Sequence, residues 1–145
     1  MDEKSPADER LAQLFRRAYD RMRTRIYAEA RELGFADLRP AHSSLFRNID
    51  PDGSRVIDLA ERAGMTKQSM AYLTESLKKL GYVAVGPDPL DGRAKRVTLT
   101  SRGKKAVATL ARLSRQAEAD LADVLGAAEV SRLFDIMRRL LAVID

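Results

Sequence analysis

No cysteine occurs among these 145 residues, and only one histidine does. The first absence excludes disulfide staples, thiolate metal ligands and thiol-based redox sensing. The second leaves a metal site to Asp, Glu and this one His, and no set of these shows metal-ligand spacing. No run approaches the roughly 18 consecutive apolar residues that a membrane span needs, and the opening Met1-Asp2-Glu3-Lys4-Ser5-Pro6 lacks the apolar core of an export signal. No glycine-rich phosphate loop precedes a helical pattern. The expectation is a soluble cytoplasmic chain with no cofactor, no membrane partner and no catalytic equipment.

What is present is charge. Charged residues make up 32% of the chain and hydrophobic ones 45%, a globular balance with a net charge of +5. The excess is concentrated: from Arg55 to Lys105 eleven Lys/Arg face five Asp/Glu, so this middle third carries +6 and the rest sums to −1. A polyanionic partner suits such a segment.

Residues 1–9 read as a flexible start and 10–145 as one domain. Leu11, Phe15, Ala18, Met22, Ile26 and Leu33 recur at helical spacing until Gly34. A second helix should follow Pro40, turning Ala41, Leu45, Phe46 and Ile49 inward, until Asp50-Pro51-Asp52-Gly53 ends it. Ile57 to Gly64 fits a two-turn helix closed by a left-handed glycine. Two residues later Thr66 can cap a further helix to Leu80, with Met70, Leu73, Leu77 and Leu80 inward and Lys67, Gln68, Ala71, Tyr72 and Glu75 outward. The period then changes to that of strands: Tyr82-Val83-Ala84-Val85 and Arg96-Val97-Thr98-Leu99 flank the turn-rich Gly86–Gly92, which predicts a β-hairpin. Thr100 or Ser101 caps a long helix whose apolar side includes Val124 and Leu125, and after Gly126 a last helix runs from about Ala128 to Val143.

A short helix, a tight turn and a second helix with a free polar face make a helix-turn-helix, whose second helix can enter the major groove of double-stranded DNA. The outward residues at its start suit that role. Gln68 can pair with adenine, Lys67 can reach guanine or phosphate, and Ser69 and Tyr72 can bond phosphate or base. The hairpin then presents Arg93, Lys95 and Arg96, and an Arg at such a tip suits a narrow minor groove. Asp91, two residues earlier, could hold the Arg93 guanidinium. A basic hairpin alone is commonly a solvated loop; beside a helix-turn-helix, inside the +6 segment, it points to nucleic acid.

The segment Asp91-Gly92-Arg93-Ala94-Lys95-Arg96-Val97-Thr98-Leu99-Thr100-Ser101-Arg102-Gly103 resembles the wing signature of the MarR family of winged helix-turn-helix regulators at each fixed position, D-x-R-x-x-x-V-x-L-T-x-x-G. Leu59 to Ser69 resembles that family's paired helices. The resemblance implies a mainly α fold with a small β-hairpin wing, the winged helix-turn-helix at 40–100 being flanked by dimerisation helices at 10–34 and 102–145. It places Thr66, Lys67, Gln68, Ser69 and Tyr72 in the major groove and Arg93 in the minor groove. Many family members carry Arg where Tyr72 stands, so their base preferences do not transfer. The resemblance further implies a homodimer that commonly represses nearby genes and is often released by small aromatic or lipophilic acids.

The dimer has separate support, because Leu133, Ile136, Met137, Leu140, Leu141 and Ile144 exceed one stripe of the last helix. A two-fold dimer would set its recognition helices roughly 10 base pairs apart on a palindromic operator. His42 opens the second helix, and with Tyr27, Ser43 and Arg47 it could hold an anionic effector; a structural role is the alternative. An enzyme, or a helical module that binds only protein, are the rival function classes.

Overall fold

The computed structural model describes residues 9–145, and apart from Glu9 the start expected to be flexible lies outside the described residues. The chain separates into two compact units, Met1–Leu110 and Ala111–Asp145. In the first, the elements are α1 (Leu11–Glu32), a 3-10 turn (Pro40–His42), α2 (Ser43–Phe46), β1 (Ser54–Arg55), α3 (Val56–Ala63), α4 (Lys67–Lys79), β2 (Val83–Pro87), β3 (Lys95–Leu99) and the first part of α5 (Ser101–Leu125). The architecture is mainly α with a small antiparallel sheet: a winged helix-turn-helix flanked by long helices.

Buried side chains from every part of this unit meet in one cluster that includes Tyr27, Leu38, Leu45, Phe46, Leu59, Met70, Leu77, Tyr82, Val97 and Ala106. Helical and strand periodicity bring them there, since each element turns one apolar face inward. α1 contributes only from its C-terminal half, Ile26 and Tyr27. Leu11 and Leu33, expected inward, remain 58% and 48% exposed. The helix expected after Pro40 is shorter and tighter than its sequence pattern, a 3-10 turn running into one turn of α2. That tightening leaves Ala41 exposed while Leu45 and Phe46 go to the core.

The expected hairpin is two strands of a three-stranded sheet, in the order β1-β3-β2. Val83 to Pro87 pair with Leu99 to Lys95, and Ser54 and Arg55 pair with Val97 and Arg96 on the other edge. β1 escapes sequence reading because two residues cannot show alternation. It matters for the wing, whose third strand is thereby hydrogen-bonded on both sides.

Thr100 closes the wing and starts α5, accepting the Gly103 amide at 3.1 Å while donating its hydroxyl proton to the Gly81 carbonyl at 2.6 Å. Gly103 is needed there for room. A Cβ at this position would lie 2.0 Å from the Tyr82 carbonyl oxygen, far inside contact distance.

The second unit holds the rest of α5 and α6 (Ala127–Ile144). α6 leaves Leu133, Ile136, Leu141 and Ile144 between 44% and 66% exposed. Val124 and Leu125, expected on the apolar side of α5, are 82% and 55% exposed. Among the described residues no helix is long and apolar enough to cross a membrane.

Candidate nucleic-acid interface

α3 ends at Gly64, whose φ of +63° and ψ of 33° are left-handed. The amides of Gly64 and Met65 donate back to Glu61 and Ala60, at 3.1 and 2.9 Å, so the chain turns sharply with its carbonyls satisfied. It re-enters a helix at Thr66, whose hydroxyl oxygen accepts the Ser69 amide at 3.1 Å and donates to the Ser69 hydroxyl at 2.8 Å. The cap stabilises the start of α4 by about 1 kcal/mol. It also commits the Thr66 proton inside the protein, so of the two hydroxyls Ser69 keeps a proton to donate outward.

α4 buries Met70, Leu73, Thr74 and Leu77. The opposite face presents Lys67, Gln68, Ser69, Ala71 and Tyr72 to solvent, Tyr72 at 77% exposure. The five residues read from sequence as the groove-facing set therefore fall on and just before one helix start.

The wing's strongest anchor went unread in the sequence. The Asp88 side chain is fully buried; its Oδ2 accepts Arg55 Nε at 2.9 Å and Arg96 Nη1 at 3.4 Å, while Oδ1 accepts the amides of Leu90 and Asp91 at 2.8 and 3.3 Å. Four donors on one carboxylate fix both the loop and its attachment to β1. Arg96, expected at the DNA surface, is consequently engaged within the protein, since its Nε also donates to the Asp52 carbonyl at 3.2 Å. Asp91 supports the loop differently from the expectation: its Oδ1 accepts the Arg93 backbone amide at 3.1 Å, an Asx turn that shapes the tip. Arg93 and Lys95 are exposed. A groove of about 510 Å³ separates wing from helix, lined by Arg55, Lys67, Arg93 and Lys95 with Asp91 as its one acidic group. A chain of phosphates would meet Lys67, Arg93 and Lys95 there, Arg55 being paired with Asp88.

Of the four residues expected to hold an effector, His42, Ser43 and Arg47 make hydrogen bonds within the protein. His42 is buried; its Nδ1 accepts the Arg39 amide at 3.0 Å, so Nε2 bears the ring proton and donates it to Ser76 Oγ at 3.3 Å. Ser43 donates to the Pro40 carbonyl at 2.7 Å, and Arg47 donates from Nε to the Ser43 carbonyl at 3.3 Å. Tyr27 is buried with no hydrogen-bond partner for its hydroxyl, and burial pushes its pKa up to about 12 against the pull of Ser43 and Arg23. None of the four lines the adjacent cleft of about 520 Å³, whose walls include Arg23, Ser44, Gln68, Ser69 and Tyr72. Arg23 brings to it a buried Nε without a hydrogen-bond partner.

His42 and Asp88 both contribute to the acid response. Burial and the nearby Arg39 lower the His42 pKa from 6.5, so its contribution to stability is complete above that value and declines as the pH falls below it. Asp88, held near 2 first by the Arg55 hydrogen bond and then by the Leu90 amide, contributes above the ordinary carboxylate range, about 4, and loses that contribution as the pH falls through about 2. Thermal melts from pH 8 to pH 2 should therefore show two separate declines. His42→Gln should remove the upper one; a melting curve unchanged between pH 7 and 5 in the wild type would contradict the His42 assignment.

Residues 36–94 match the model of the MarR family. Among solved structures, a MarR family regulator from Rhodococcus sp. RHA1 is similar with 16% identity and a TM-score of 0.72, covering 96% of this chain and 96% of that one. BpsR from Bordetella bronchiseptica, whose DNA binding is regulated by 6-hydroxynicotinic acid, has 23% identity and a TM-score of 0.69, covering 91% and 93%. A mutant of MepR from Staphylococcus aureus bound to an oligodeoxyribonucleotide has 18% identity and a TM-score of 0.59, covering 95% and 100%. No curated protein matches the chain. Identities of this size carry the fold alone.

Proposed function

We propose that the chain is a sequence-specific, DNA-binding transcription regulator of the MarR family, whose model residues 36–94 match, and that it works in the cytoplasm, as a repressor and not as an enzyme. The observation that carries this is the pairing of an exposed polar helix start, Lys67 to Tyr72, with an anchored basic wing across a cation-lined groove. The helix reads the major groove, and Arg93 enters the minor groove beside it.

The protein acts as a homodimer on a palindromic operator. Leu133, Ile136, Leu141 and Ile144 support this, being large apolar residues left in solvent on a single chain, the kind of surface that a second copy covers. Release by a small acidic effector is supported by the cleft that Arg23 shares with Gln68 and Tyr72, because an anion held there would sit against the residues that read DNA.

Gel shifts with the DNA upstream of the protein's own gene, at two salt concentrations, test the reading. Neutralising several phosphates makes affinity fall steeply with salt, which a purely protein-binding module would not show. Arg93→Ala should weaken operator binding by about 1–3 kcal/mol. Salt-insensitive binding, or equal affinity of the variant, would overturn the assignment.

A further inference from the structure

α4 contains no arginine between Lys67 and Lys79, so its face lacks the planar fork that reads guanine bidentately. Lys67, the cation at its exposed start, lines the groove toward the wing, a place suited to phosphate, and the remaining chemistry is of another kind. Gln68 offers a carboxamide, which matches the N6 and N7 edge of adenine, and Ala71 and Tyr72 offer a methyl group and an aromatic ring. Tyr72 is the outlier among them: 77% exposed, on a rigid helix, with no hydrogen bond or ring contact holding its side chain among the described residues. Gln68 and Tyr72 are one turn apart on the same side, about 6 Å along the axis, which spans roughly two base steps. The Thr66 hydroxyl, its proton given to Ser69, adds no competing donor.

We propose that this face selects A·T pairs, with the Tyr72 ring and the Ala71 methyl packing on thymine 5-methyl groups while Gln68 pairs with a nearby adenine. The inference rests on the DNA-binding reading above and names what that surface reads. Tyr72 acts through its ring, and its hydroxyl is dispensable.

The test uses the full chain and a library of randomised DNA duplexes, from which bound sequences are enriched. Individual thymines of the enriched duplex are then replaced by deoxyuridine, which removes only the 5-methyl group. Enriched half-sites should carry A·T pairs under the helix, and at least one substitution should weaken binding of the wild type and of Tyr72→Phe about fourfold, the factor carried by burying one methyl. Tyr72→Ala should be indifferent to that same substitution. Half-sites dominated by G·C pairs, or a pattern of deoxyuridine effects that is the same in Tyr72→Ala as in the wild type, would overturn the thymine reading and leave DNA binding standing. Salt-sensitive binding without enrichment would do the same. Absence of any salt-sensitive binding would overturn both readings.

Discussion

Tyr82→Ala should cost about 4 kcal/mol of unfolding free energy, the middle of the range for removing a buried aromatic ring. Tyr82 has no exposed surface, stands edge-on to Phe46 with centroids 6.2 Å apart, and packs against Phe35 at the same distance. Its truncation would also open a cavity under Arg102, whose guanidinium lies 4.3 Å from the ring centroid. Tyr82→Phe separates volume from polarity. The Tyr82 hydroxyl donates to Asp37 Oδ1, but the other Asp37 oxygen still accepts Arg102 Nη2 at 3.1 Å, so losing the hydroxyl should cost only about 1–2 kcal/mol. Urea unfolding at pH 7 measures both. A loss below about 1 kcal/mol for the Ala variant would mean that the surrounding core collapses into the space.

The second large effect is expected from adding atoms. Gly103→Ala places a methyl group 2.0 Å from the Tyr82 carbonyl oxygen and 3.2 Å from Leu99 Cδ2. Backbone cannot swing aside as a flexible side chain can, so the start of α5 or the base of the wing must move. Overpacking of this kind costs about 1–3 kcal/mol, and a backbone neighbour puts this site at about 3 kcal/mol. Because the Thr100 amide donates to the same Tyr82 carbonyl at 3.1 Å, the clash should also loosen the cap of α5. Gly92→Ala is the control: nothing lies within 4 Å of its added Cβ, and the change should stay within about 0.5 kcal/mol. Equal stability of the two variants in the same urea series would contradict this account.

These positions also mark what could be read from the chain beforehand. Thr66, Gly64 and the inward Met70, Leu73 and Leu77 obey local rules, in which a hydroxyl reaches an amide one turn on and a glycine takes a left-handed φ, so the helix-turn-helix was legible residue by residue. The wing motif was legible too, as far as Arg93 and Lys95. Asp88 was not. In sequence it is one acid in a turn-rich stretch, and its partner Arg55 lies 33 residues away on a strand too short to announce itself. The same long-range pairing explains Arg96, which looks like another basic residue of the tip until Asp88 and Asp52 appear beside it. The hydrogen bonds of His42 were hidden in the sequence for a related reason. Its neighbours in sequence suggested an anion site, while Ser76, from the recognition helix, takes up its free ring nitrogen.

The edge strand β1 has a consequence for how tightly such a wing can hold a groove. A hairpin joined to its domain along one side samples many orientations in solution, and contact with a duplex must freeze them, at a free-energy cost that subtracts from every phosphate contact made. Here β3 is paired through Val97 and Arg96 to β1 as well as to β2, and Arg55 ties that same edge to Asp88 in the loop. The orientational entropy is surrendered when the protein folds. On the proposed reading, Arg93 would approach DNA from a platform already aimed, and its contact would count almost in full toward residence time.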